Sequence, residues 1–124
     1  MVQAKNEGYL GNNLIKRAGV ETSYTEEQLV EYQKCSEDPC HFIETYTQII
    51  SLDEGLVPFQ LRGYQENLIN HYNDNRFSVV LAARQSGKSI TSCAYLLWYL
   101  LFTPEVTVAI LANKGAIARE MIAR

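Results

Sequence analysis

No apolar run in the sequence approaches the ~20 consecutive residues that a bilayer-crossing helix needs, so a membrane span is not expected. The longest run, around Ala94–Phe102, contains Trp98 and two tyrosines and reads as a buried helix. A secretory signal is missing as well. Met1–Leu10 places Lys5, Asn6 and Glu7 where the apolar core of such a signal would sit. Cysteine is scarce and odd in number, three in all. That argues against a disulfide framework and leads to the expectation of a cytosolic compartment. Cys35 and Cys40 lie five apart with His41 next, but no second Cys/His pair follows at finger-like spacing. Metal binding is therefore not expected there. Cys93 falls in an apolar helical stretch and reads as a small buried thiol. Positive charge is also in short supply, with a formal net of −3. Residues 1–55 hold four Lys/Arg against ten Asp/Glu, and residues 56–124 hold seven against four. A surface that grips DNA needs clustered Lys and Arg, so no strong grip is expected within this chain.

What is present suffices for one globular domain: 124 residues, 47% apolar and 20% charged. Residues 1–23 have scattered Gly and Asn without a sustained period and read as a loose arm. Residues 24–58 read as a helical lead-in. Thr25-Glu-Glu-Gln28 fits a capping box, which predicts a helix to about Lys34. Asp38-Pro39 is a second helix start, with an oxygen acceptor at the cap and proline in the first turn. Gln48–Leu52 reads as a short strand closed by Asp53-Glu54-Gly55. Pro58-Phe59-Gln60 is expected to be extended.

Residues 59–124 read as the first part of an α/β domain. A helix is predicted from about Arg62, with Leu61, Gln65, Leu68 and Tyr72 at four-residue spacing or close to it, broken at Asn73-Asp74-Asn75. Phe77–Leu81 and Val106–Leu111 are short apolar runs of the kind buried in a parallel sheet. Between them Ser89–Phe102 is expected to form a helix, apolar almost all round and stopped by Thr103-Pro104. Asn113 is expected to cap a last helix. Strand, loop, helix, strand, helix is the front half of a doubly wound domain. A right-handed crossover would make the two strands parallel. Two strands are few for such a sheet, and the sequence stops within the last helix without a closing glycine. A fragment of a larger domain is the expectation.

The chemistry concentrates in Leu81-Ala-Ala-Arg-Gln-Ser-Gly-Lys-Ser89. A phosphate-binding loop needs successive backbone N–H groups around the anion, a lysine for the outer phosphates and a hydroxyl for magnesium. It also needs a helix N-terminus behind it. Gln85, Ser86 and Gly87 would supply the backbone, Lys88 the charge, and Ser89 the Mg2+ ligand. One element departs from the plain pattern: the first glycine would fall at position 82, which is alanine. Arg84 could approach a transferring phosphate, or simply face solvent. Upstream, a glutamine amide can donate and accept at once, matching the edge of adenine. Gln60 and Gln65, with Phe59 and Tyr64 as stacking rings, could form such an element.

Ala83-Arg-Gln-Ser-Gly-Lys-Ser89 resembles the deviant Walker A loop of tailed-phage terminase large subunits. Asp38-Pro-x-x-Phe-Ile-Glu-x-Tyr46, Asp53-Glu-Gly-Leu-Val-Pro-Phe59 and Leu61-Arg-Gly-Tyr-Gln65 resemble the segment before that loop in T-even-like phage proteins. Ile110-Leu-Ala-Asn-Lys-Gly-Ala116 is similar to their following strand and turn. The likeness runs from about Asn13 to Arg124. It implies a P-loop NTPase sheet with flanking helices, incomplete here, and makes 59–124 the first part of an ATPase domain. The parent protein would hydrolyse ATP to drive double-stranded DNA into a procapsid, and would cut DNA with a separate nuclease domain. Carried onto this chain, the resemblance makes Arg84 and Lys88 the catalytic residues. ATP would be held by Gln60, Gln65 and Arg84 to Ser89, and magnesium by Ser89. The implied partners are DNA, the portal protein and the small terminase subunit, in the cytoplasm of an infected bacterial host.

The family's Walker B aspartate and catalytic glutamate would follow the loop on an apolar strand, and no such Asp-Glu pair follows here. Without a glutamate to orient the attacking water, the chain is expected to bind ATP weakly and hydrolyse almost none. A DEAD-like helicase also places a glutamine before its loop, but Ala82 and Ser89 fit it less well. A nucleotide or metabolite kinase would need a lid that the sequence does not show. A non-catalytic nucleotide-binding or interaction module is the remaining alternative.

Overall fold

The capping chemistry at Thr25 builds the first helix. Thr25 Oγ1 accepts from the backbone N–H of Gln28 at 3.3 Å, and Gln28 Oε1 accepts from the N–H of Thr25 at 3.0 Å. This reciprocal pair opens α1, Glu26–Glu37. The helix runs three residues past the expected end because Asp38 closes it, its N–H bonding the carbonyl of Lys34. Asp38 also starts the next helix: one carboxylate oxygen accepts from the N–H groups of Cys40 at 2.9 Å and His41 at 3.1 Å. With Pro39 in the first turn, α2 covers Pro39–Tyr46. The computed structural model describes residues 9, 10, 12, 15, 19, 23–51 and 53–123. Most of the expected N-terminal arm lies outside them.

After α2 the chain forms a hairpin, β1 Gln48–Ser51 against β2 Gly55–Pro58, antiparallel with Gln48 opposite Pro58 and Ser51 opposite Gly55. Gly55 has φ +76°, which glycine adopts at little cost where the chain reverses. Then come α3, Gly63–Asp74, α4, Lys88–Phe102, and α5, Gly115–Ile122.

The core lies where α1, α2, α3 and α4 meet, built from Cys35, Phe42, Ile43, Phe59, Ile69, Ala94 and Trp98. Ile43 and Ile69 are fully buried, and truncating such a side chain to alanine typically costs about 2–5 kcal/mol. The aromatic residues run through it as one connected set. Phe102 meets the rings of Tyr32, Phe42 and Trp98, and Tyr95 joins Trp98 to Tyr72. The indole Nε1 of Trp98 donates to the carbonyl of Cys35 at 2.7 Å, fastening the end of α1 to α4.

The result is a small mixed α/β unit of five helices and one two-stranded antiparallel sheet among the described residues. The expected parallel sheet is not part of it. Phe77–Leu81 and Val106–Leu111 are both outside any strand. Phe77, Val79, Leu81 and Leu111 are almost entirely exposed. Their apolar pattern suits a sheet interior, but a strand exists only through ladder bonds to a neighbour, and neither run forms such bonds among the described residues.

The same absence of a covering layer corrects the expectation for α4. Thr91, Ala94 and Trp98 are buried, whereas Leu97, Tyr99, Leu100 and Leu101 are exposed. Two boundaries also move. The sheet gains Gly55–Pro58 as a second strand, and α5 is capped at Lys114 without a side-chain bond rather than at Asn113. Lys114 supplies its carbonyl to Ile117 and Ala118, so Asn113 sits one residue too early to cap.

Candidate functional site: the loop before helix α4

The segment Ala83–Gly87 turns the chain from an extended run into α4, and two of its residues have left-handed backbones. Gln85 has φ +61° and Gly87, the N-cap of α4, has φ +77°. Alternating hands of this sort turn successive N–H groups towards one side, the geometry of an anion-binding nest. Behind them stands the N-terminus of a 15-residue helix, whose free N–H groups and dipole favour negative charge.

Side chains hold the loop in that form. Ser86 Oγ donates to the carbonyl of Ala83 at 2.9 Å, and Lys88 Nζ donates to the same carbonyl at 3.2 Å. The ammonium of Lys88 therefore lies back against the loop rather than extending away from it. Tyr64, from the first turn of α3, donates its hydroxyl to the carbonyl of Ser86. Ser89 is half-buried in the first turn of α4, and Arg84 is exposed at the bend of the loop.

Gln65 anchors the loop from beneath. It is buried, and its amide is engaged at both ends. Its Oε1 accepts from the N–H of Arg62 at 2.9 Å, and its Nε2 donates to Thr91 Oγ1 at 3.0 Å. Thr91 in turn donates to the carbonyl of Gly87 at 3.0 Å. A continuous chain of hydrogen bonds thus runs from the start of α3 to the N-cap of α4. Gly87 is packed against it: a Cβ there would stand 2.8 Å from Gln65 Nε2.

Beside the loop is a cavity of about 220 Å³, walled by Gln60, Arg62, Tyr64, Gln85 and Ser86 over an apolar floor of Phe59 and Ile90. It brings together most of the residues singled out from the sequence and divides them by role. Gln60 is exposed on its rim, and Tyr64 is nearly half exposed. Phe59 is only 3% exposed and packs into the core, so its ring is not open for stacking. Gln65 spends both ends of its amide inside the protein. Arg84, Lys88 and Ser89 are not among the residues lining this cavity; they sit on the loop and helix next to it.

Sequence reasoning missed Thr91 and Arg62. A threonine four residues after a glycine N-cap can bond back to its carbonyl, which is the local signal that was available. Its pairing with Gln65, 26 residues away, has no signature in one sequence. No protein-family model matches the chain.

Proposed function

We propose that this chain is the ATP-binding part of a tailed-phage terminase large subunit, the motor that packages double-stranded DNA. The observation that carries this reading is the turn Gln85–Gly87. Its left-handed residues lead directly into α4, with the ammonium of Lys88 against it. A nest, a helix N-terminus and an ammonium on one spot suit a polyphosphate.

In this reading the backbone N–H groups of Gln85, Ser86 and Gly87 surround the β-phosphate. Lys88 leaves the Ala83 carbonyl to meet the outer phosphates, and Ser89 holds Mg2+. Arg84 stabilises charge at the γ-phosphate. The base enters the cavity beside the loop, where Gln60 and Tyr64 offer an amide and a ring. Gln65 then keeps the loop in shape instead of reading adenine. The implied partners are DNA, the portal protein and the small terminase subunit, in the host cytoplasm. The likeness of the loop and its flanking motifs to terminase sequences supports these assignments.

Titration with a fluorescent ATP analogue in magnesium tests the reading. Saturable binding that Lys88→Ala weakens by more than about tenfold is expected, since a charged hydrogen bond is worth roughly 1.5–3 kcal/mol. No binding at millimolar nucleotide would overturn it in favour of an interaction module.

A further inference from the structure

Away from the loop, at the corner between α1 and α2, three side chains of different metal-binding types converge. Glu31 and Cys35 lie four apart on α1, which places them on one face of the helix. His41 comes from the first turns of α2, whose direction is set by the Asp38 cap. Its Nε2 is 2.8 Å from Glu31 Oε1, and Cys35 Sγ is 3.6 Å from the same oxygen. One ligand atom from each residue lies within 4.8 Å of the others.

We propose that Glu31, Cys35 and His41 form a zinc site. A thiolate, an imidazole and a carboxylate are a donor set suited to zinc and not to magnesium or calcium, which take oxygen ligands. Tetrahedral zinc with bonds of roughly 2.0–2.3 Å sets neighbouring donors roughly 3.3–3.6 Å apart. The three donors come close to that spacing, and side-chain shifts of roughly 1 Å complete it.

The surroundings meet the other needs of such a site. The hydroxyl of Tyr46 donates to Glu31 Oε1 at 3.2 Å, an outer partner that orients the carboxylate. The backbone of Cys35 is held by the Trp98 indole. A groove of about 400 Å³, bordered by Glu31, Cys35, Tyr32 and Tyr46, opens beside the donors. It gives the ion an entry path and leaves room for a water as fourth ligand. On binding, the thiol proton of Cys35 passes to solvent and His41 coordinates through the Nε2 lone pair, with no change of oxidation state. Cys40, the thiol nearest to His41 in sequence, is turned towards Asn70, its Sγ 3.9 Å from Oδ1, and is not a ligand.

Cobalt(II), a spectroscopic stand-in for zinc, tests the site on the intact chain. The expected result is a thiolate-to-cobalt charge-transfer band with visible bands of tetrahedral intensity. They saturate at one equivalent and are displaced by zinc. Cys35→Ser should abolish the charge-transfer band, and Cys40→Ser should leave it unchanged. Because Cys35 is buried and its replacement can disturb folding, His41→Gln is the second variant. Its affinity should fall by more than about tenfold, the usual cost of losing even an outer partner, with the circular dichroism unchanged. A wild-type chain that gives no band, a band that survives Cys35→Ser, an affinity unchanged in His41→Gln, or a band lost in Cys40→Ser overturns the proposal. The tests of the loop do not involve this corner, so either reading can fail alone.

Discussion

The side-chain amide of Gln65 donates to the hydroxyl of Thr91 across 3.0 Å inside the protein, joining the first turn of α3 to the first turn of α4. Both residues are buried, Thr91 completely, so neither group has water to fall back on. Gln65→Ala removes the donor and also frees the N–H of Arg62. A loss of about 1–3 kcal/mol is expected from the groups left without partners. Urea unfolding followed by circular dichroism checks it; a midpoint shift within error would show that the bond contributes nothing net.

Gly87→Ala introduces two costs at once. The backbone is left-handed at φ +77°, and the new Cβ would meet Gln65 Nε2 at 2.8 Å. Together these should destabilise the chain by about 1–3 kcal/mol. The clash is with a side chain, so part of the penalty should vanish when Gln65 is already alanine. A double-mutant cycle reads this directly: the coupling should be non-zero and favour the pair, whereas strict additivity would place all the cost in the backbone.

Trp98 is the only tryptophan in the chain, and its indole is the sole described donor to the Cys35 carbonyl across the α1–α4 contact. Trp98→Phe keeps a ring among Tyr95 and Phe102 but deletes that bond. The expected cost is about 1–3 kcal/mol, and Trp98→Ala should cost more, roughly 3–5 kcal/mol. Thermal unfolding of the two variants, compared with wild type, tests the ranking. Equal losses would mean that the ring contributes no packing of its own.

Glu31 gives the fold a pH dependence. The hydrogen bond with His41, with help from Tyr46 and Cys35, holds its carboxyl below the ordinary value of 4.5 in spite of opposing desolvation. A carboxyl with a depressed folded pKa stabilises the fold above its unfolded pKa. That contribution disappears as pH falls through the folded value. In chelator, wild type should therefore lose stability faster than Glu31→Gln as the pH drops below about 4.5. The Glu31 side chain is still 38% exposed, so solvent screens the pair and the gap is small. Unfolding midpoints for both chains across that window provide the check, and parallel curves would show that another group sets the acid limb.

The elements that could be read from the sequence are those written in local chemistry. Thr25 with Gln28, Asp38 with Pro39, and Thr103-Pro104 each mark a helix boundary within a few residues, because caps act over a single turn. The strand of the hairpin at Gly55–Pro58 was harder to see, since Pro58 and a four-residue length leave little alternation. The runs Phe77–Leu81 and Val106–Leu111 mark the opposite limit: composition describes what a segment would suit, while a ladder depends on a neighbour elsewhere in the chain. At the site, the loop residues were legible as a motif. The engagement of Gln65 by Thr91, and of His41 by Glu31 ten residues earlier, follows from packing and could not be.

Those two apolar runs have a further consequence. Val79 and Leu81 stand almost fully in water, on backbone whose N–H and C=O groups have no ladder partner among the described residues. Such a surface is adhesive to copies of itself, because each molecule carries the strand its neighbour lacks. Colloidal behaviour, more than folding free energy, then sets how concentrated this chain can be kept. A charge placed at Val79 or Leu81 would blunt that edge without touching the buried core.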